Sequence, residues 1–186
     1  MWLAAKAIDP TRPVLDTSGY SHRVPQADVY DSHNYDQDPA TFKARHDKAL
    51  EGEPFVNAWD GRTMNLPWNG QPYMVSEFGG IWWNAEIAAA AAGEDRNESW
   101  GYGKRVRSLD EFYQRFEGLC RALLDNPRMF GYCYTQLTDV FQEQNGVYTF
   151  DRRAKFDLAR LQSVQRRPAA IETGRPGATV TKGARR

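Results

Sequence analysis

The chain is poor in the residues that usually announce a metal centre or a disulfide framework. It has two cysteines and three histidines among 186 residues, and no cysteine pair has metal-ligand spacing. Cys120 falls in a predicted helix and Cys133 in a predicted strand, so both read as small buried hydrophobes. The histidines are scattered, and neither a metal nor a cofactor is expected. Net charge is missing as well: 24 basic and 24 acidic residues cancel, which argues against a nucleic-acid or membrane-surface partner chosen by bulk electrostatics. No apolar run approaches the roughly 18 residues of a membrane span. The longest, residues 87–92, is mostly alanine. No signal peptide is seen, which makes the cytoplasm the expected location. Internal repeats are not evident. Aromatic residues, by contrast, make up 13% of the chain. They gather near predicted strand ends, a placement that favours stacking on carbohydrate, although core packing accounts for many of them individually.

Strand and helix signals alternate along the chain, which points to an α/β fold. A helix fragment over residues 1–8 stops at Asp9 and Pro10. Short buried strands are expected at 13–17 and 27–31. A helix over 39–50 follows, with Asp38 as cap and Phe42, Ala49 and Leu50 as its apolar face, ended by Gly52. Residues 59–70 dissolve into Asp, Gly, Asn and Pro and read as a loop before a strand at 73–77. Residues 85–92 suit a short helix ended by Gly93. Ser108 and Glu111 form a capping box, after which Leu109, Phe112, Tyr113, Phe116, Leu119, Cys120, Leu123 and Leu124 recur at helical spacing. Asn126 and Pro127 stop that helix, a strand follows at 129–134, and a closing helix spans 154–164 with Phe156, Leu161 and Val164 on one face. Beyond Arg167 the composition turns to Pro, Gly, Thr and basic residues, so 168–186 reads as a disordered basic tail.

The most informative stretch is Pro72-Tyr73-Met74-Val75-Ser76-Glu77-Phe78-Gly79-Gly80, followed by Ile81-Trp82-Trp83. A short apolar strand brings one carboxylate to its C-terminal end, glycines break the chain, and two indoles follow. In an α/β barrel the C-terminal strand ends form the reactive face. A carboxylate there, with aromatic planes beside it, suits attack at an anomeric carbon. The bland alternative is a salt bridge to an arginine across the barrel mouth.

Several blocks, in order, carry a resemblance to the barrel domain of glycoside hydrolase family 2, which includes β-galactosidases, β-glucuronidases and β-mannosidases. They are Ala7 to Pro13, Asp28 to Tyr35, the strand end Ser76-Glu77-Phe78-Gly79, Gly131 to Asp139, and Gln144 to Arg152. The resemblance covers roughly residues 1–165. It implies that residues 1–167 form the C-terminal half of a (β/α)8 (TIM) barrel, strands five to eight with their helices. It also implies a retaining β-glycosidase, β-galactosidase-like, that works through a covalent glycosyl-enzyme with Glu77 as nucleophile. Family members place their acid/base in an Asn-Glu pair on the fourth strand, ahead of a helix like residues 1–8, so the chain reads as a fragment lacking that group. Asn97-Glu98 copies the pair but sits after the nucleophile and follows no strand, so Glu98 reads as a loop residue.

Other residues are candidates for contact with a sugar. His33 and Tyr35 follow the sixth strand, where they could bind a hydroxyl, orient Glu77 or simply cap a loop. Trp82 and Trp83 are adjacent, so only one readily faces a pocket and the other belongs in the core. Gln136 and Asp139 end the eighth strand, where polar groups are costly to bury without purpose. Many family members carry tryptophan near this point, whereas this chain has Thr135 and Gln136, which leaves the sugar open. The expected partners are a carbohydrate substrate and either the N-terminal half of the barrel or a second copy. The rival reading is a non-catalytic half-barrel for carbohydrate binding or assembly.

Overall fold

Ser108 starts the longest helix as its sequence requires. In the computed structural model, which describes residues 1–85 and 99–174, the Ser108 hydroxyl accepts the Glu111 N–H at 3.1 Å. The Glu111 carboxylate reaches one residue further back than a capping box needs and takes the Arg107 N–H at 2.8 Å. The helix runs over Leu109–Leu124 and buries Phe112, Tyr113, Phe116, Leu119, Cys120, Leu123 and Leu124. Leu109 itself is exposed, so the apolar stripe begins one turn in.

That helix covers one face of a three-stranded parallel sheet, giving a mixed α/β architecture. Strands β1 (Tyr30–Asn34), β2 (Tyr73–Gly79) and β3 (Met129–Thr135) lie in the order β1-β2-β3. The helices are α1 (Trp2–Ile8), α2 (Pro39–Asp47), α3 (Leu109–Leu124), α4 (Leu158–Gln165) and α5 (Ala170–Thr173), and a 3-10 turn at Lys48–Glu51 extends α2. Asp38 caps α2 by accepting the Thr41 N–H, and Asp157 caps α4. Phe156 stacks on Phe112 at 3.7 Å between ring centres, which ties α4 to α3. Leu161 and Val164 are buried with it.

Between α2 and the sheet lies a buried polar network. The Tyr73 hydroxyl meets Ser32 Oγ at 2.7 Å and His46 Nδ1 at 3.2 Å. His46 Nε2 faces the Asn34 amide at 3.0 Å. Burial, with Arg45 nearby, pushes the His46 pKa down to about 3, so its ring stays neutral.

Two expected strands differ from what forms. Residues 13–17 are not a strand. Val14 does pair with Asp28, but its N–H donates to the Asp28 carboxylate at 2.9 Å and its carbonyl accepts the Asp28 N–H at 3.3 Å. A side chain thus replaces a backbone carbonyl and stops any ladder. Asp16 is equally committed, accepting the N–H groups of Arg23 and Val24. For the same reason the strand expected at 27–31 starts only at Tyr30, with Pro72 O as its first acceptor at 2.9 Å. Cys120 is buried, but Cys133 is exposed on β3. The helix expected at 85–92 and Asn97-Glu98 lie outside the described residues, Ala85 excepted. In the expected tail, α5 forms a single turn and residues 175–186 lie outside the described part.

Candidate active site

The parallel register sets three side chains on one spot. His33 pairs with Glu77 and Asn34 with Phe78 across β1 and β2, with an irregularity between Ser32 and His33. The Glu77 carboxylate, at the C-terminal end of β2, accepts the Tyr35 hydroxyl at 2.5 Å on Oε2. His33 Nδ1 lies 3.2 Å from the same oxygen. Neither contact uses Oε1. The Glu77 side chain is 38% exposed and that of His33 10%, so the acid opens outwards above partly buried partners.

Each partner is fixed in turn. The Asn57 amide brackets His33, accepting its N–H at 2.7 Å and donating to its carbonyl at 2.8 Å. Ser18 Oγ meets His33 Nε2 at 2.9 Å. Tyr35 stacks on Tyr102, with ring centres 3.5 Å apart and planes 6° from parallel. Burial, and then the bond to Glu77, pushes the Tyr35 pKa up, so the hydroxyl keeps its proton and remains a donor. Gln37 donates from its amide to the carbonyls of Tyr35 and Gly79.

Gly79 permits the break after Glu77. Its φ is +82°, and a Cβ there would sit 2.3 Å from Tyr134 Cε2, so any other residue costs both backbone strain and a clash. The chain turns away at once, and the Tyr134 hydroxyl accepts the Ile81 N–H at 3.2 Å.

Beneath the site Asp31 is fully buried. It accepts the Gly19 N–H and the Ser76 hydroxyl, and it pairs with His22 Nε2 at 3.0 Å. His22 Nδ1 meets Asp16 at 2.7 Å. Burial alone would lower the His22 pKa, but the bonds to Asp31 and Asp16 outweigh it and raise it to about 9. An imidazolium clamped by two carboxylates therefore anchors the segment that carries Ser18 and Tyr20.

The remaining sequence candidates are engaged elsewhere. Trp82 donates to Ser99 Oγ at 3.1 Å, and Arg105 lies over its ring. Trp83 is core, 8% exposed. Asp139 is buried, with both oxygens on Lys155 Nζ at 2.8 and 3.0 Å and the Gly146 N–H at 2.8 Å. Gln136 takes the Val147 N–H on its carbonyl, and its Nε2 is buried with no partner among the described residues. Reading the chain as a sequence missed Tyr102, Asn57 and Ser18. The first had a signal in the aromatic run Trp100-Gly101-Tyr102, but the others sit in loops whose return to the site has no local mark.

No protein-family model matches this chain, and no curated protein is significantly similar to it. Solved structures do match. A β-glucuronidase from Faecalibacterium prausnitzii aligns over 90% of the chain with 16% identity and a TM-score of 0.56. A GH2 β-galacturonidase from Eisenbergiella tayi aligns over 89% at 16% identity and 0.52, and a β-glucuronidase from an uncultured Clostridium species over 87% at 14% and 0.50. The chain spans 28% of the length of each of these proteins. Its fold is thus like that of a segment of glycoside hydrolase family 2 enzymes.

Proposed function

We propose that this chain is the nucleophile-bearing half of a retaining β-glycosidase barrel, β-galactosidase-like, with Glu77 as nucleophile. The observation that carries the reading is the carboxylate at the C-terminal end of a parallel strand. It is held on Oε2 by the Tyr35 hydroxyl, and neither Tyr35 nor His33 uses its other oxygen. In such a reaction one Glu77 oxygen attacks C1, the C1–O bond to the leaving group breaks, and water later releases the sugar. A second carboxyl would protonate the leaving oxygen. None bonds to the Glu77 cluster among the described residues, and general acid help is typically worth about 10² to 10⁴ in rate. Hydrolysis of natural glycosides therefore needs a partner strand set that supplies the acid. The rival reading, a binding or assembly half-barrel, draws on the outer edges of β1 and β3, which have no strand beside them among the described residues.

A 2,4-dinitrophenyl 2-deoxy-2-fluoro-β-galactoside tests the nucleophile by itself, because dinitrophenolate leaves without a proton. Mass spectrometry is expected to find one fluorosugar on the peptide carrying Glu77, and none in Glu77→Gln. No labelling, or labelling of another residue, overturns the assignment.

A further inference from the structure

Tyr20, whose ring meets that of His33, is one wall of a hollow of about 330 Å³ lined also by Ser21, Trp59 and Met64. We propose that it is an aryl-binding subsite that takes the planar aromatic group of an aryl β-glycoside. Its description as part of a substrate site rests on the glycosidase reading of Glu77; the aryl pocket itself does not.

The walls are built rather than incidental. Trp59 is 77% exposed and Met64 51%, an unusual concession to water for large apolar groups side by side. Trp59 is held out by a two-residue turn in which its N–H and carbonyl pair with those of Arg62 at 2.8 and 2.9 Å. Asp60 and Gly61 both have positive φ, 49° and 70°, as a tight hairpin turn of this hand demands. The opposite wall, Tyr20 and Ser21, lies on the segment clamped by His22. Asn65 joins the two walls, since its carbonyl oxygen accepts the His22 N–H at 2.6 Å and its amide reaches Gly19 O and Asn57 O. The pocket is therefore preformed, which lowers the ordering cost of binding.

Its chemistry selects the occupant. The surface facing the hollow is almost wholly carbon, and Ser21 Oγ already accepts from Arg23 Nε at 3.1 Å. A pyranose would bring several hydroxyls with nothing to meet them, at a desolvation cost. A flat aromatic ring loses nothing there and stacks on the indole. The link to the carboxylate is short. The Tyr20 ring stands edge-on to His33 at 5.3 Å between centres, and His33 touches Glu77.

Titration calorimetry with p-nitrophenol, methyl β-galactoside and p-nitrophenyl β-galactoside, on the wild-type chain, Trp59→Ala and Glu77→Gln, tests the proposal. Trp59 is 77% exposed and outside the buried core cluster of the described residues, and circular dichroism is expected to show the same fold in Trp59→Ala. Loss of one stacked ring is expected to weaken p-nitrophenol binding about fivefold in Trp59→Ala, with no change in Glu77→Gln. The p-nitrophenyl glycoside should bind the wild type more tightly than the methyl glycoside, an advantage that Trp59→Ala removes. Absence of p-nitrophenol binding, or equal binding by wild type and Trp59→Ala, overturns the aryl subsite even where Glu77 is labelled. Trp59-dependent p-nitrophenol binding without any labelling of Glu77 upholds the pocket and removes the glycosidase reading instead.

Discussion

At the residue scale one oxygen organises the site. Glu77 Oε2 faces both Tyr35 Oη and His33 Nδ1, so the carboxylate cannot rotate without losing both partners. A hydrogen bond to a charged group is worth about 1.5 to 3 kcal/mol. Tyr35→Phe removes that bond and keeps the stack on Tyr102. In the proposed reaction it should slow fluorosugar labelling of Glu77 by about 10- to 100-fold, given 1.4 kcal/mol per factor of ten, measured at a temperature where the variant is still fully folded by circular dichroism. An equal labelling rate would mean that the Tyr35 bond does not position the nucleophile. Glu77 itself was legible in the sequence, because a strand, an acid and two glycines are contiguous. Its supports were not. Asn57 and Ser18 reach His33 from loops 24 and 15 residues away, and no periodicity marks a residue that acts across such a gap.

Two histidines set opposite pH dependences on stability. His46 has a folded pKa near 3, below its unfolded value of 6.5; its contribution is complete above pH 6.5 and is lost as the pH falls towards 3. His22 has a folded pKa near 9, above 6.5; its contribution is complete below pH 6.5 and is lost as the pH rises towards 9. Asp16 and Asp31, both held below the usual carboxylate range by bonds that outweigh their burial, add their loss only below about pH 4. Urea unfolding is therefore expected to show greatest stability near pH 6.5, falling by on the order of 1 to 3 kcal/mol on each side. His22→Asn should flatten the alkaline limb and His46→Gln the acid limb. A profile unaltered by either substitution would remove the assignment.

At the scale of elements, legibility followed how local the signal is. Helix α3 was readable over nearly its whole length, since its Ser108 cap, its stripe from Phe112 onwards and its Asn-Pro stop all lie within the segment; Leu109 and the Glu111 half of the capping box are the exceptions. Ser108→Ala should cost about 1 kcal/mol, seen as a lower denaturation midpoint with an unchanged slope; a loss within error would show that Glu111 and the packing of Phe112 hold the helix start unaided. The strand expected at 13–17 failed for the converse reason. Its apolar run, Pro13-Val14-Leu15, resembles a buried strand, but pairing is decided by distant groups, and here the Asp28 carboxylate occupies the place of a ladder carbonyl. Strand β1 shifted towards its C-terminal end with the same cause, and within it the irregularity between Ser32 and His33 brings His33 opposite Glu77. The contact of His33 and Tyr35 with Glu77, one of the alternatives the residue types offered, did not depend on placing that strand boundary correctly.

At the scale of the molecule, the strand order β1-β2-β3 leaves one edge each of β1 and β3 with no strand beside it among the described residues. Unpaired edges are templates for another chain. Exposed apolar groups cluster in sequence around β3: Phe130 is 50% exposed, Leu137 70%, Phe141 72% and Phe150 63%, and the last two rings stack on each other at 5.3 Å. In a finished parallel sheet such groups would be covered, because such sheets are buried on both faces. In the proposed half-barrel the edge of β3 receives the first four strands, and with them the acid that Glu77 requires, while the segment around Val14 lies beside the start of β1. Light scattering of the chain alone should therefore give a mass that rises with concentration, and Phe130→Lys should suppress the rise. Adding a polypeptide that carries the first four strands of a family 2 barrel should replace self-association with a one-to-one complex and bring hydrolysis of p-nitrophenyl β-galactoside, absent in Glu77→Gln. A chain that stays monomeric at every concentration and forms no such complex would leave the open edges without a partner, and the half-barrel reading would fall with them.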